Sequence, residues 1–169
     1  MGLCRSSDAL MAEAVGDVDA SRGYAVYFSR HGVAVVVWDP TMRAVYTEAQ
    51  SWADPSEMAA VLEAGLQGLT EHGGSRWLAD GRNMKAIKQS HQDWIVEEFF
   101  PRALAAGLRR FALVIPKNDL AMRTVDRLMH RLPAAKVDVA YFPTVDEART
   151  WLTESPTNPL SDGKANSIT

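Results

Sequence analysis

The hydrophobic pattern divides this chain into a β-rich first part and an alternating remainder. Two runs dense in Val, Tyr, Phe and Trp, at 24–29 and 33–38, and a third predicted strand at 43–48 are separated only by short turns and predict an antiparallel meander. Beyond residue 52 the apolar positions recur at helical spacing, and helical and strand patterns then alternate. Such alternation is typical of parallel strands joined by helices. We therefore predict an α/β fold with a mixed sheet of about six strands and about four helices.

Residues that typically begin or end helices locate several of these elements in the sequence. Asp54 before Pro55 predicts the start of the first helix, and the glycine pair at 73–74 predicts its end. Thr144 and Glu147 form a capping box for a short last helix. The later strands are predicted at 76–80, 110–116 and 137–142, with helices beginning near 90 and 119.

The two ends of the chain lack these patterns. We predict a flexible leader over 1–22, a single domain over 23–154 and a disordered tail over 155–169, which is rich in Pro, Asn and Ser. Gly2, Cys4 and Ser6 fit a lipidation pattern, but so short a pattern is common by chance and we discount it.

Composition narrows the classes of function. The formal net charge is −3 and basic residues are scattered, which argues against nucleic-acid binding. Cys4 is the single cysteine, and a chain with one cysteine forms no internal disulfide. No apolar run approaches the roughly 20 residues that span a bilayer. We expect a cytoplasmic protein.

The stretch from Trp77 to Pro101 carries the most information about function. It runs from an apolar strand through a polar loop into an aromatic-rich helix. On a helical wheel Trp94 falls opposite the face predicted to pack on the sheet, so we expect it to be partly exposed or folded over the loop. Pro101 predicts a kink or a restart of the helix. The apolar face comprises Ile95, Val96, Phe99, Phe100, Ala103, Leu104 and Gly107.

Candidate binding residues lie where two neighbouring strands end. They are Asp80, Arg82, Asn83 and Lys85 after one strand and Lys117 after the next. The carboxyl ends of parallel strands meet at one edge, where ligands and partners usually dock. These side chains form one of two arrangements. In the first they clamp a ligand such as a phosphate, and Arg82 donates hydrogen bonds to it. In the second they form local pairs in which Arg82 neutralises Asp80. Trp94 completes the predicted surface.

Catalytic motifs are missing from the sequence. It has no glycine-rich phosphate loop and no nucleophile elbow, and its four histidines are not spaced as metal ligands, so we predict neither cofactor nor metal. Asp80 with Asp119 or Lys117 is the only enzymatic alternative that we retain. Ser90 is interpreted as a helix cap or, alternatively, as a phosphorylation site.

Three segments resemble small bacterial proteins with the fold of STAS domains, the fold of sulphate-transporter tails and anti-sigma-factor antagonists. The segments are WLADGRNMKAI, QDWIVEEFFPRALAAGLRRFALVIPKN and VAYFPTVDEARTWL, within a similarity that spans about 24–153. The resemblance implies helices mainly on one side of the sheet and a non-enzymatic role. Antagonists carry an Asp-Ser-Ser/Thr-Gly motif whose serine is phosphorylated. The corresponding ADGRNMKAIKQSHQDW lacks that motif and offers only Ser90 at the helix start.

The residues and the resemblance together favour a regulatory protein-interaction module with an unknown protein partner. The alternative is a small-molecule or lipid carrier that uses the cleft at the strand ends, since this fold group is sometimes compared with CRAL-TRIO lipid-binding domains. A homodimer through the aromatic helix is a further expectation.

Overall fold

The computed structural model of the chain describes residues 23–49 and 55–154. The predicted leader, the predicted tail, the lipidation pattern and the Asp54 cap lie outside these residues. Within them the chain builds one six-stranded sheet in which the strands follow their sequence order. The strands are β1 (Ala25–Arg30), β2 (Ala34–Asp39), β3 (Ala44–Ala49), β4 (Arg76–Asp80), β5 (Arg110–Val114) and β6 (Asp138–Phe142).

The sheet is antiparallel at one side and parallel at the other. β1, β2 and β3 pair antiparallel, with an irregular register between Val26 and Phe28, and β3 to β6 pair parallel. This arrangement confirms the predicted mixed sheet with an antiparallel meander followed by β/α alternation. The predicted bounds of the first three strands are one residue too early, which is the usual scale of error for strand ends.

Helices connect the parallel strands and follow the last one. They are α1 (Pro55–Glu71), α2 (Gln89–Trp94), a π-helical turn (Ile95–Phe99), α3 (Phe100–Ala105), α4 (Asp119–Met129) and α5 (Val145–Thr153). α2, the π turn and α3 form one continuous segment over 89–105. α1 ends where Gly73 adopts a positive φ of 57°, a conformation that glycine takes without a steric penalty.

The two faces of the sheet carry separate apolar cores. α1, the 89–105 segment and α4 pack on one face, where they bury Val36, Trp77 and Leu113 of the sheet. α5 packs on the opposite face against side chains such as Leu78 and Ala112. Alternation along each strand produces this division, because successive side chains point to opposite faces.

α5 is fixed by its cap and by charge. Thr144 Oγ1 accepts a hydrogen bond from the Glu147 backbone N–H at 3.3 Å, as the predicted capping box requires. Arg149 Nη1 lies 3.1 Å from Oδ2 of the fully buried Asp39, outside hydrogen-bond alignment, so this contact is a charge pair. The Asp39–Arg149 pair was not predicted from sequence.

The π turn lies immediately before Pro101. The Phe100 N–H bonds to the Ile95 carbonyl, five residues back instead of four. Pro101 lacks an N–H and cannot continue the α-helical ladder, and α3 begins beside it. The predicted interruption at Pro101 is thus present, in the form of a π turn.

Candidate functional site

The loops after β4 and β5 form one continuous structure at the carboxyl edge of the sheet. The Gly81 N–H bonds to the Val114 carbonyl at 3.0 Å, and the Lys117 N–H bonds to the Arg82 carbonyl at 3.1 Å. A Cβ at position 81 would lie 2.9 Å from the Val114 carbonyl oxygen, so the close approach of the loops requires glycine there. The predicted convergence of the two strand ends is therefore observed.

Asp80 and Arg82 form the polar centre of these loops. Arg82 Nη2 lies 2.7 Å from Asp80 Oδ2, and its Nε donates to Oδ1 at 2.9 Å. Asp80 is 2% exposed, whereas the Arg82 side chain is 39% exposed. The hydrogen bonds and charge of Asp80 raise the pKa of Arg82 above its ordinary value. This geometry matches the second of the two predicted arrangements, in which Arg82 neutralises Asp80.

Tyr46 adds a third member that sequence reasoning missed. Its hydroxyl donates to Asp80 Oδ2 at 3.3 Å from the neighbouring strand β3. Burial, followed by the negative charge of Asp80, raises the pKa of the Tyr46 phenol. The only signal in the sequence is a single aromatic residue in this short strand. Its pairing to Leu78 follows from the β3–β4 register, which the sequence does not specify.

The remaining predicted residues surround this centre. Asn83, Lys85 and Lys117 are all exposed. Asn118 caps α4 by accepting a hydrogen bond from the Ala121 N–H at 3.0 Å. The loops therefore present amide and ammonium groups to solvent around the Asp80–Arg82 pair.

Trp94 is partly exposed, as the sequence predicts, and it also packs on the π turn. It is half-buried, and its ring stacks on Phe99 with centroids 5.9 Å apart. Residues i and i+5 are far apart around an α-helix but approach one another in a π turn, where bonds run from i to i+5. The wheel did not predict this stacking because it assumed 3.6 residues per turn throughout.

Ser90 lies inside the first turn of α2. The helix begins at Gln89 with Lys88 at the N-cap position, so Ser90 is not the cap that the sequence predicts. Asp93, three residues after Ser90, accepts hydrogen bonds from Gln89 and Arg131 at 2.9 and 2.8 Å. The Ser90 side chain is exposed.

An apolar cavity lies beneath these loops, between the sheet and the helices. It has a volume of about 90 Å³ and is lined almost entirely by apolar side chains. Met84 and Ile87 of the loop line it together with Phe99 of the π turn and Leu128 of α4. The strand ends therefore border both a polar surface and an apolar cavity.

The geometry limits what Asp80 can do chemically. Both of its carboxylate oxygens are bound by Arg82, so it is not a free base. Asp119 is exposed in the first turn of α4. Among the described residues no group of three His, Cys, Asp or Glu side chains is arranged to hold a metal ion.

Comparison with known families agrees with the fold. The model of the SpoIIAA-like family matches residues 42–153, which is more than half of the chain. The chain belongs to the SpoIIAA-like family. The match begins at Met42, after β2, and contains every residue of the candidate site. It supports the STAS-like fold inferred from the sequence.

Two further comparisons gave no match, neither with a curated protein nor with a solved structure. In the part of the chain that the structure describes, every helix is too short or too polar to cross a membrane.

Proposed function

We propose that this protein is a non-catalytic regulatory module that binds a protein partner through the joined β4–β5 loops. The observation that carries the proposal is the Lys117 N–H bond to the Arg82 carbonyl, which makes two loops a single surface. We name this surface the loop surface; it comprises Arg82, Asn83, Lys85 and Lys117 above buried Asp80. Membership of the SpoIIAA-like family, whose antagonist relatives regulate by protein contact, supports the same role.

The physical character of the loop surface suits a protein partner. The Asp80–Arg82 pair fixes the loop backbone, so little conformational entropy is lost when a partner binds. Lys85 and Lys117 are exposed cations at its rim, where charge mainly steers association and selects partners. Trp94 supports this surface, because its ring stacks on Phe99 and so stabilises the adjoining helix.

The test is quantitative crosslinking of the protein in lysate of its native host, followed by mass spectrometry. The double variant Lys85→Glu/Lys117→Glu reverses the rim charge without touching the Asp80–Arg82 pair. We expect the proteins captured by the wild type to fall at least fivefold with this variant. The matched control is the double variant Arg123→Glu/Arg127→Glu, which makes the same charge change at two exposed positions on α4. An unchanged set of captured proteins in the double variant refutes the proposal.

Ser90 belongs to the same proposal as a site of phosphorylation. It is exposed in the first turn of α2, where a dianion is favoured by the unpaired N–H groups of the helix, and Lys88 is close in sequence. Phosphoproteomic analysis of the protein from its native host tests this. Absence of phosphate on the Ser90 peptide under every growth condition argues against phosphorylation at this site.

The apolar cavity favours a second candidate function, the binding of a small apolar molecule. A dry cavity of roughly 150 Å³ accommodates benzene, so a volume of about 90 Å³ holds only a few carbon atoms unless the lining moves. Met84 lines the cavity, and methionine is an adaptable side chain. Native mass spectrometry of freshly purified protein should then show an adduct, and a clean mass of the unliganded chain in several preparations argues against it.

A further inference from the structure

A second groove lies between the outer side of α3 and the connection from α4 to β6. Its volume is about 660 Å³, and no residue of the loop surface lines it. The floor is largely apolar and includes Val96, Leu104, Ala105 and Pro133. Pro101 and Pro133 both line the groove and have no backbone N–H, so the lining offers few backbone donors. The groove has the size of a binding site and an apolar base.

Three cationic side chains line the rim of the groove: Arg109, Arg131 and Lys136. Arg131 is neutralised, because its guanidinium lies 2.8 Å from Asp93 and 4.0 Å from Glu97. The other two cations, Arg109 and Lys136, are not neutralised in this way and define one end of the groove.

Arg109 and Lys136 have no carboxylate partner within residues 23–49 and 55–154. Arg109 Nη1 donates to the Leu104 and Leu108 carbonyls at 3.0 and 2.6 Å, which holds the side chain but does not cancel its charge. Lys136 is exposed on the turn before β6, where its N–H bonds to the Pro133 carbonyl. This end of the groove is therefore positively charged.

The nearest acidic residue in sequence, Asp138, does not compensate this charge. It pairs in register with Arg110 on β5, and laterally paired residues project to the same face of a sheet. Arg110 lies 4.0 Å from the ring of Trp151, on the α5 face. Asp138 therefore projects to the α5 face, whereas the groove lies on the α3 side.

We propose that this groove receives a segment of a partner protein that places apolar side chains on the floor and carboxylates at the Arg109–Lys136 end. The charge of the chain as a whole is −3, so a local positive end gives an acidic segment one favoured site and one orientation. The inference does not depend on the loop surface, since the two sites share no residue.

The test is selection from a random peptide display library with the full chain as the target. Enriched peptides should combine apolar residues with Asp or Glu, and they should bind Lys136→Glu and Ala105→Glu at least tenfold more weakly than the wild type. Both substituted positions are exposed, which leaves the packing of α3 intact. The control Arg127→Glu makes the same charge change outside the groove and should bind normally.

Several results would overturn the inference. Enriched peptides without acidic residues, or acidic peptides insensitive to both groove variants, exclude the proposed occupant. Binding to vesicles of anionic phospholipid that is lost in Lys136→Glu, with no peptide selected, assigns the groove to a membrane surface instead. Self-association that disappears in the same variant assigns it to a second copy of the chain. Circular dichroism and thermal melts confirm that each variant is folded.

Discussion

At the scale of single residues, Gly65 determines how closely α1 approaches the sheet. A Cβ at this position would lie 2.3 Å from the ring of Trp77, which is 1% exposed and bonds Thr47 through its indole N–H at 3.0 Å. Gly65→Ala gains about 1 kcal/mol of helix propensity, but overpacking against an immobile ring costs about 1–3 kcal/mol. We expect a net loss of stability in urea unfolding.

Gly68 is the matched control for Gly65. It lies one turn later on α1, and its added Cβ would meet the half-buried Tyr27 ring at 3.0 Å. Because that ring is able to shift, we expect Gly68→Ala to be close to neutral. If Gly65→Ala were as stable as Gly68→Ala, the packing of Trp77 described above would be wrong.

Tyr27 makes the protein sensitive to alkaline pH. Burial, together with the hydrogen bond to Glu71 at 2.7 Å, raises the pKa of the Tyr27 phenol to about 12 from 10.0. The folded state therefore holds this proton more tightly than the unfolded chain. Its contribution to stability is complete below pH 10 and is lost as the pH rises toward 12.

Denaturant unfolding between pH 9 and 12 measures this contribution. We expect the wild type to lose more stability over that range than Tyr27→Phe, which has no proton to lose. Ultraviolet titration of the two proteins identifies the phenol concerned. Identical pH profiles for the two proteins would contradict the assignment.

At the scale of elements, the π turn sets the environment of Trp94. Trp94→Ala removes a half-buried ring that stacks on Phe99, and we expect a loss of about 1–3 kcal/mol in the free energy of unfolding. A fully exposed ring without this stacking would give almost no loss. Glu98→Ala, an exposed change within the π turn, is the control and should be nearly neutral.

The order of elements followed from the sequence because local signals agreed with the fold. Strand-forming runs, the glycines after α1 and the Thr144–Glu147 box each specify structure through neighbouring residues. The π turn was missed because wheels assume one period, although Pro101 marked the place. The Tyr46–Asp80 and Asp39–Arg149 contacts were missed because they depend on strand register and on the position of α5.

The location of the candidate site was predicted from the sequence, but the partner of Arg82 was not. Asp80, Arg82 and Lys117 converge as the rule for parallel strand ends requires. The sequence left open whether Arg82 binds a ligand or Asp80, because that choice depends on side-chain geometry within one turn. The structure places Arg82 on Asp80, while Asn83, Lys85 and Lys117 face solvent.

At the scale of the whole molecule, one face of the sheet carries three helical segments and the other carries α5 among the described residues. The carboxyl edge of the parallel strands lies between these layers, and the loop surface occupies it. Membership of the SpoIIAA-like family gives this arrangement a regulatory context. This arrangement underlies the proposal that partners bind at this edge.

Hydrogen–deuterium exchange of the protein, alone and with its most abundant crosslinked partner, tests whether partners bind there. We expect slower exchange on binding in peptides that cover 81–88 and 115–118, and little change in α5. The Lys85→Glu/Lys117→Glu variant should lose this protection at the same partner concentration. Protection confined to α5 or to the β1–β3 meander, with both loops exchanging as in the free protein, would contradict the proposal.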